Sequence, residues 1–571
     1  MATDTDAQAA PAPKQNEALV IGASSVGTMF EWYDFFLYGS LAANITHHFF
    51  SGVNETTGFI LALAAFAAGF LVRPFGALAF GRIGDIVGRK NTFLVTMIIM
   101  GAATFTVGLL PSYATMESLG PGMGVIAPFA LVALRVLQGL AIGGEYGGAA
   151  TYIAEHAPDG KRGFFTSWIQ ITATIGLFVS LMVILGVRSS MSTEQFEDWG
   201  WRVPFLLSSA LLLVSIWIRL QLNESPVFLK MKEEAATSKA PLSEAFGKWS
   251  NLKYVLIALF GMVGGQAVIW YSGTFYGLFF LQQVLKVDAG QANMLVAIAL
   301  AVGTPLYIFF GWLSDKIGRR PLVLAGLIIP VLTYFPLFHV MTQAANPALD
   351  AAVKSAPVVV RADTSECSFQ FDPVGKNKFD QKSCDIAKAY LSRAGVTYTT
   401  EKLPAGAVTE VNVGGSTYVA PDPRQLTGDQ RATAIAAYHA QLGDALAAAG
   451  YPKKADPAKV NGGMVILIIV LTQLFTAMIY GPMAAMLVEL FPARVRYTSM
   501  SLPYHIGNGW FGGLLPTVAF AIVAATGNIY AGIWYPVVIA GVTFVIALFF
   551  LPETYKRNIH HFSGEDDKST F

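Results

Sequence analysis

Long apolar runs recur along this chain, and they constrain its fold more than any other feature. An α-helix needs about 20 mostly apolar residues to cross the hydrocarbon core of a bilayer. The sequence contains twelve such segments, at 19–45, 57–80, 91–110, 123–150, 164–187, 203–221, 253–282, 290–312, 321–341, 463–487, 500–525 and 529–551. We therefore predict an all-α membrane protein with twelve transmembrane helices.

The composition supports a membrane protein and argues against two other classes, a soluble protein and a nucleic-acid-binding protein. Charged residues make up 13% of the chain, whereas a soluble domain has about 25%. A surface with so few charges has to face lipid, so a bilayer is the expected surroundings. The net charge of +1 leaves no basic surface to neutralise phosphates, and we expect no nucleic-acid partner.

Positive charges are concentrated in alternate loops between the predicted helices. Lys and Arg occur in the loops at 81–90 and 313–320, whereas the loops at 46–56 and 111–122 have none. Short loops that carry positive charge stay in the cytoplasm. This pattern predicts that both termini are cytoplasmic.

The two halves of the chain share a sequence repeat. GRIGDIVGRK at 81–90 returns as GWLSDKIGRR at 311–320, and the Glu, Pro and Arg of EHAPDGKR at 155–162 return in ELFPARVR at 489–496. A repeat at fixed membrane topology is typical of transporters whose halves rock around a central site. We therefore predict two pseudo-symmetric six-helix bundles.

The spacing of the two repeats reveals an insertion in the second half. The offsets are 230 and 334 residues, so about a hundred extra residues separate the motifs there. The predicted organisation is a disordered cytoplasmic tail at 1–16, an N-terminal bundle at 17–221, a cytoplasmic linker at 222–252, a C-terminal bundle at 253–341 and 463–552, an extracytoplasmic insertion at 342–462 between helices 9 and 10, and a cytoplasmic tail at 553–571.

The insertion carries the signals of a small α+β domain. VTEVNV and STYV flank Gly414-Gly415 as in a two-residue hairpin, and Thr427 to Gln430 forms a capping box before an Ala-rich helix. Cys367 and Cys384 would lie in an oxidising compartment, so we expect a disulfide, although two free thiols are also compatible with the sequence. A lid, a partner surface and a neutral decoration all stay open as its role.

Four segments carry a specific signature: GTMFEWYDFFLYG at 27–39, LVRPFGALAFGRIGDIVGRK at 71–90, LRVLQGLAIGGEYGGA at 134–149 and WGWRVPF at 199–205. They resemble motifs of the major facilitator superfamily and, within it, of the metabolite:proton symporter family. The resemblance implies alternating access, proton coupling and a multi-pass protein of a bacterial-type inner (plasma) membrane. The chain departs from it at Ile86 and Lys316, where the superfamily often has Arg after the aspartate of the loop motif, and in its large insertion.

Two carboxylates lie in the first predicted helix. Glu31 and Asp34 are three residues apart and share one face of the helix, near the middle of the membrane. Charges at that depth are costly, so we predict that the pair carries the coupled proton. A purely structural role is also open, in which one of them only neutralises an arginine or caps a break in the helix. Arg135 and Glu145 on the fourth helix are further candidates for proton coupling, Arg135 equally for packing.

Arg73 is the predicted anchor for an anionic substrate. Its forked guanidinium matches a carboxylate, about 12 Å into the membrane; a fixed ion pair with Glu31 or Asp34 is equally compatible with this position. Neutral polar and aromatic residues are expected to complete the site: Tyr38, Gln138, Tyr146, Gln266, Trp270, Tyr271, Gln473, Tyr504, His505 and Asn508. The second half has no comparable charge, so we expect the proton machinery in the first half.

The repeated loop motif predicts a gate. Asp85 and Arg89 in the first copy, and Asp315 and Arg319 in the second, lie at cytoplasmic ends of helices. Charge pairs there can lock the halves together and break when the halves rock. If these charges only satisfied the positive-inside rule, Gly and Asp would have no reason to repeat at the same spacing.

The predicted function is proton-coupled symport of a small polar metabolite, an organic acid first, by alternating access. The sequence has no phosphate-binding loop and no metal-spaced His or Cys cluster, so we expect no enzyme activity, no cofactor, no metal site, the proton gradient as driving force and a monomer. NESPVF at 223–228 and PETYK at 552–556 are similar to segments of sugar porters, which keeps a sugar or polyol porter open. A betaine or proline porter and a nutrient sensor without flux are also compatible with the sequence.

Overall fold

The computed structural model describes residues 17–51, 55–221, 223–368 and 379–559. Within these ranges the side chains of a few helical residues are not described. One of them is Glu31, so the side chain of this predicted proton carrier lies outside the described residues. The predicted tail at 1–16 and most of the tail at 553–571 also lie outside them.

Long helices make up most of the described chain. They are α1 Glu17–Ser40, α2 Glu55–Val87, α3 Arg89–Leu109, α4 Met123–His156, α5 Arg162–Ser189, α6 Gly200–Leu220, α7 Trp249–Val284, α8 Ala289–Ile317, α9 Arg320–Ala345, α10 Gly462–Leu490, α11 Ala493–Val523 and α12 Ala531–Phe550. Among the residues that could be searched, ten helices, α3 to α12, are long and apolar enough to cross a membrane. The all-α membrane fold is thereby confirmed, and the count of twelve depends on α1 and α2, of 24 and 33 residues.

Large apolar side chains cover the outer surface of the bundle. Phe129 on α4, Leu213 on α6, Leu332 on α9 and Phe549 on α12 are exposed by 74%, 67%, 69% and 71%. So many exposed apolar side chains would aggregate in water. In a bilayer they face lipid, whose tails are as apolar as they are.

The two halves meet along two related helix pairs, α2 with α11 and α5 with α8. Small residues permit the close approach. A Cβ atom at Gly81 would lie 2.9 Å from the Cα atom of Thr498, and one at Gly163 would collide with the carbonyl oxygen of Gly311. Because α2 corresponds to α8 and α5 to α11 in the repeat, the boundary has the pseudo-two-fold arrangement that the repeat predicts.

Several helices that carry candidate site residues are irregular. The first helix ends at Ser40 and a short helix, Ala42–Phe49, follows, where the apolar run predicted one helix. In α7, π-helical turns occupy Leu259–Val263, Ser272–Tyr276 and Phe280–Val284, and α11 has one at Gly507–Gly512. Such turns are rare and are frequent at functional sites.

The insertion between α9 and α10 is a small α+β domain. Its four-stranded sheet has the order β2-β1-β3-β4, with β1 parallel to β2 and the other pairs antiparallel. The strands are Val358–Ala362, Tyr398–Lys402, Glu410–Val413 and Ser416–Val419, and the helices are Pro347–Ser355, Ser383–Ala394 and Gly428–Ala448. The predicted hairpin is β3–β4, the predicted capping box begins the last helix, and Cys367 is bonded to Cys384.

The insertion rests on the ends of two helices of the second half. The backbone N–H of Tyr398 donates to the carbonyl of Gly527, which follows α11, at 2.9 Å. Lys286, which follows α7, donates from Nζ to the carbonyl of Arg393 at 2.6 Å. We call this side of the bundle the insertion end and the opposite side, where residues 81–90 and 311–320 lie, the motif end.

Candidate functional site

A chain of hydrogen bonds links a carboxylate and a guanidinium inside the first half. Thr104 on α3 donates from Oγ1 to Oδ2 of Asp34 at 2.6 Å and accepts from Nε2 of Gln138 at 2.7 Å. Gln138 in turn accepts from Nη1 of Arg135 at 2.6 Å. Thr104 was not predicted as a site residue, because a threonine in an apolar helix gives no signal in a single sequence.

Arg135 is also held by an aromatic ring. Its guanidinium carbon lies 3.7 Å from the centre of the Tyr38 ring, and both residues are buried. A cation over an aromatic face is stabilised by the ring quadrupole, more strongly when water is excluded. Arg135, Tyr38 and Gln138 therefore form one fixed group, in which the arginine already has partners.

Arg73 on α2 has a different environment. It is 6% exposed, and its guanidinium carbon lies 4.4 Å from the Phe70 ring centre and 5.9 Å from that of Phe35. Among the described residues it forms no hydrogen bond and no ion pair. A fixed ion pair between Arg73 and Asp34 is therefore absent from this conformation. A buried arginine whose described neighbours are aromatic rings is an open anion site.

One narrow cavity brings four of the predicted site residues together. Asp34 of α1, Arg73 of α2, and Arg135 and Gln138 of α4 all line it. The remaining lining residues are Phe35, Gly69, Phe70, Met100, Gly139 and Ile142. The Arg73 guanidinium and the Asp34 carboxylate thus share one apolar chamber, where charges interact with less screening than in water.

Aromatic residues continue this region towards the second half. Tyr146 on α4 stacks on Tyr504 on α11, with ring centres 3.5 Å apart, and the hydroxyls of Tyr504 and Tyr480 lie 2.8 Å apart. Trp270 on α7 lies 5.6 Å from Trp32 on α1, and Tyr271 lies 6.4 Å from Phe70. The predicted residues Tyr146, Trp270 and Tyr271 therefore lie at the boundary between the halves.

The predicted polar residues of the second half differ in whether they have partners. Gln473 donates to Thr274 at 3.2 Å and accepts from Tyr307 at 2.9 Å, and Asn508 donates to the carbonyl of Tyr504 at 3.2 Å. Gln266 is fully buried, and neither of its amide atoms has a hydrogen-bond partner among the described residues. Of these three residues, Gln266 has both amide atoms available for a ligand.

Glu145 on α4 does not line the cavity. It is fully buried, and Arg219 on α6, which was not predicted as a site residue, interacts with it electrostatically. Arg219 is 2% exposed and lies against Gly27 of α1, where a Cβ atom would collide with it. Because Arg219 lies one residue before the end of α6, its position in the sequence is typical of an interfacial residue.

The motif aspartates join the two halves at the motif end. Asp85 on α2 accepts the backbone N–H groups of Tyr497 and Thr498, at 3.3 and 2.9 Å, near the beginning of α11. Asp315 on α8 accepts those of Gly163 and Phe164, both at 2.8 Å, at the beginning of α5. Each carboxylate caps a helix of the opposite half, where the free N–H groups and the helix dipole favour a negative charge.

Buried ion pairs surround the two motif aspartates. Arg89 lies 3.4 Å from Asp85, and Arg319 lies 3.0 Å from Asp315, so these two predicted pairs are formed within each half. Across the boundary, Arg496 lies 2.7 Å from Glu155. Glu155 and Arg496 were predicted only as members of the repeat, without a role.

A related pair joins the halves at the other copy of the motif. Arg162 of the first half lies 3.7 Å from Glu489 of the second. Glu489 also accepts two hydrogen bonds of 2.9 Å from Arg319. Both of these ion pairs across the boundary use the Glu and Arg of the EHAPDGKR and ELFPARVR segments, and the repeat in the sequence already contained them.

The segments NESPVF and PETYK belong to the same network. Glu224 accepts the backbone N–H groups of Arg89 and Lys90, both at 3.2 Å, and caps the beginning of α3. Glu553 accepts those of Arg319 and Arg320, both at 3.0 Å, and caps the beginning of α9. These glutamates are therefore a third pair of the repeat, and their role is to fix the motif end.

Comparison with known proteins gives consistent matches. A family model described as "Sugar (and other) transporter" matches residues 19–253 and 432–564, and one described as "MFS/sugar transport protein" matches 149–360. Alpha-ketoglutarate permease of Escherichia coli (strain K12) is 33% identical over 61% of this chain and 77% of its own length. The shikimate transporter of the same strain is 36% identical, over 55% and 70%. The proline/betaine transporter of Salmonella typhimurium (strain LT2) is 34% identical, over 56% and 63%.

Solved structures show the same fold. The proton:xylose symporter XylE bound to 6-bromo-6-deoxy-D-glucose covers 96% of this chain with a TM-score of 0.57, at 15% identity. A double-Trp mutant of XylE covers 95% with a TM-score of 0.60, also at 15% identity.

Proposed function

This chain belongs to the major facilitator superfamily, in its family of sugar and other transporters, and on that premise we propose that it is a proton-coupled symporter of small organic acids. Its relatives are transporters and not enzymes. As a secondary transporter it moves a small molecule across a membrane by using a gradient and alternating access.

The observation that carries the proposal is the buried guanidinium of Arg73, which has no polar partner among the described residues, in a cavity shared with Asp34. A lone cation inside a bilayer is costly, and a bound carboxylate offsets that cost with two parallel hydrogen bonds. A neutral sugar has no charge to do so. Three relatives are named for alpha-ketoglutarate, for shikimate and for proline and betaine, and each of these compounds carries a carboxylate.

Asp34 is the proposed proton carrier, together with Glu31. In its charged form Asp34 accepts from Thr104, and in its protonated form it can exist in the apolar cavity without a counter-charge. A proton that arrives on Asp34 removes a negative charge from the cavity that contains Arg73. The guanidinium then attracts the substrate anion more strongly, so that proton and anion bind together. Arg135, fixed by Tyr38 and Gln138, keeps this chamber positive, and Glu145 is a further candidate.

Alternating access is proposed to break the contacts of the motif end. Asp85, Arg89, Asp315 and Arg319 hold that end closed here, and it has to open for release on that side. The positive loops place the motif end in the cytoplasm by the positive-inside rule. The insertion is then extracytoplasmic and both termini are cytoplasmic, in a bacterial-type inner membrane. We propose a monomer without a cofactor, driven by the proton gradient.

Uptake into vesicles of purified protein tests the proposal. With an inward proton gradient, labelled organic acids should accumulate above equilibrium, and dissipating the gradient should abolish the accumulation. Arg73→Gln should lower kcat/KM for acids by about 100-fold, because a charge-assisted bidentate contact is lost. Arg73→Lys, which keeps the charge and loses the fork, serves as the matched control and should lose less.

Three different results of the same experiment would each favour another function. Accumulation of sugars or polyols without acids would overturn the proposal in favour of a sugar porter, which the description of the matching family model also includes. Uptake restricted to betaine and proline would indicate an osmolyte porter. Specific binding without flux of any compound would indicate a sensor.

A further inference from the structure

His505 is a buried imidazole near the candidate site. It lies on α11, is 1% exposed, and neither ring nitrogen has a hydrogen-bond partner among the described residues. Leaving buried polar groups unpaired destabilises a fold, and native proteins keep few of them without a reason. The ring is in contact with Tyr504, whose own ring stacks on Tyr146 of the first half. His505 therefore lies at the boundary of the two halves.

The packing of α2 against α11 places His505 opposite Arg73. A Cβ atom at Gly81 would lie 2.9 Å from the Cα atom of Thr498, and one at Gly509 would lie 3.0 Å from the carbonyl oxygen of Phe70. The two helices are antiparallel, and the residue numbers of both contacts have the same sum. Residue 505 therefore lies level with residue 74, next to Arg73. The two side chains are close enough to interact electrostatically.

We propose that His505 and Arg73 bind one carboxylate group of the substrate together, one side chain from each half of the transporter. The inference rests on the proposed function, because it names the second partner of the anion that Arg73 attracts. A guanidinium supplies two parallel N–H donors, and an imidazole supplies one more from a different direction. A carboxylate has enough lone pairs for all three. Its arrival satisfies both side chains at once.

A carboxylate shared by the two halves has a mechanical consequence. In each open conformation one half moves away, so one of the two contacts lengthens. Both contacts form fully only when the halves close around the substrate. The binding free energy of the second contact is therefore released during closure, which is how a ligand drives a conformational change. His505 is thus a positioning and specificity residue, not the group that recruits the anion.

The test compares three variants in proteoliposomes of full-length protein. His505→Leu removes the ring nitrogens at similar size, and His505→Gln keeps an N–H donor. His339→Leu is the matched control, because His339 lies on α9 with its ring exposed and bonded to the carbonyl of Phe335. The probe is a labelled monocarboxylic or dicarboxylic acid that the wild-type protein accumulates.

We expect His505→Leu to raise KM for the acid by about 10-fold or more, the loss of one hydrogen bond to a charged group. His505→Gln should restore a large part of the affinity, and His339→Leu should resemble wild type. The double variant Arg73→Gln/His505→Leu should lose less than the product of the single effects, because both side chains act on one carboxylate. Thermal unfolding of His505→Leu should be unchanged or higher, since an unpaired polar group has been removed.

Two outcomes would overturn the inference and leave the proposed function intact. One is wild-type KM in His505→Leu while Arg73→Gln is impaired. The other is an equal loss in His505→Leu and His505→Gln together with a lower unfolding temperature, which would mark His505 as structural. If wild-type protein accumulates no acid at all, the proposed function itself fails, and that result is separate from any effect of His505.

Discussion

The carboxylate of Asp85 on α2 accepts a 2.9 Å hydrogen bond from the backbone N–H of Thr498 on α11, across the boundary between the two halves. The second copy of the motif repeats the contact, from Asp315 to Gly163 on α5. Backbone N–H groups at a helix start have no other partner in the helix. An aspartate of one half therefore completes a helix of the other, and the motif end separates only when these contacts break.

Asp85→Ala is expected to shift the protein towards conformations that are open at the motif end. Two charge-assisted hydrogen bonds are lost, about 3 kcal/mol in total. Ser501→Cys reports the opening, because Ser501 is buried next to Gly147 and the two native cysteines are bonded to each other. Alkylation of this thiol should become about 10-fold faster or more. Asp159→Asn, at an 84% exposed side chain, is the control and should have no effect; unchanged labelling in Asp85→Ala would contradict a gate.

Asp34→Asn is expected to separate transport from the proton gradient. The amide still accepts a hydrogen bond from Thr104 but cannot take up a proton. Gradient-driven accumulation should fall by at least about 10-fold, whereas exchange of labelled for unlabelled substrate should persist. Both assays use the same vesicles. If Asp34→Asn and Glu31→Gln each kept full accumulation, the assignment of the proton to this helix would be wrong.

Gln266→Leu is expected to change stability and transport in opposite directions. Its amide is buried and has no hydrogen-bond partner among the described residues, so an apolar side chain of similar size should keep or raise the unfolding temperature. If substrate binds there, KM should rise by about 10-fold. Gln283→Leu, at an exposed position of the same helix, is the control. A more stable protein with unchanged KM would show that Gln266 does not contact substrate.

Removing the disulfide by Cys367→Ser/Cys384→Ser is expected to loosen the insertion and leave transport intact. A cross-link of this length stabilises by about 3 kcal/mol. Hydrogen exchange in the helix Ser383–Ala394 should become faster, while uptake should stay near wild type because the cavity lies inside the first half. Loss of uptake in a protein that is otherwise folded would indicate that the insertion acts as a lid.

Asp363 gives the insertion a dependence on acid. Hydrogen bonds from the Ser365 hydroxyl, the Gly406 N–H and the Ser365 N–H hold the pKa of this carboxyl below its usual range. A lowered pKa in the folded state means stability that is present above about pH 4 and lost as the pH falls further. Asp363→Asn should be less stable than wild type at about pH 6 and should approach it at about pH 3. Hydrogen exchange, corrected for its intrinsic rate, measures this, and equal stability at the higher pH would contradict it.

The membrane fold was predictable because the length of an apolar run is a direct physical requirement of the bilayer. The prediction did not include the end of the first helix at Ser40 or the π-helical turns of α7. These features depend on how neighbouring helices pack, and the apolar pattern does not record them. The same applies to α2, which continues to Val87, beyond the apolar run, because Asp85 has partners on α11.

The site was predictable to the extent that it is made of charges. Asp34, Arg73 and Arg135 are conspicuous in apolar helices, and the structure places them around one cavity. The role of Thr104 and the environment of His505 were not accessible, since both depend on which residue faces them. For the motif end, the repeat identified the aspartates, but their partners are backbone N–H groups, which no residue type announces.

The two ends of the insertion lie side by side. The backbone N–H of Asn461 donates to the carbonyl of Ala344 at 2.8 Å, so the chain leaves α9 and returns to α10 at nearly one point. A different folded module with adjacent termini can therefore be grafted there without stretching either helix. A rigid protein chosen for size and shape would project from the detergent micelle and give electron cryomicroscopy a landmark for aligning images of this otherwise featureless bundle.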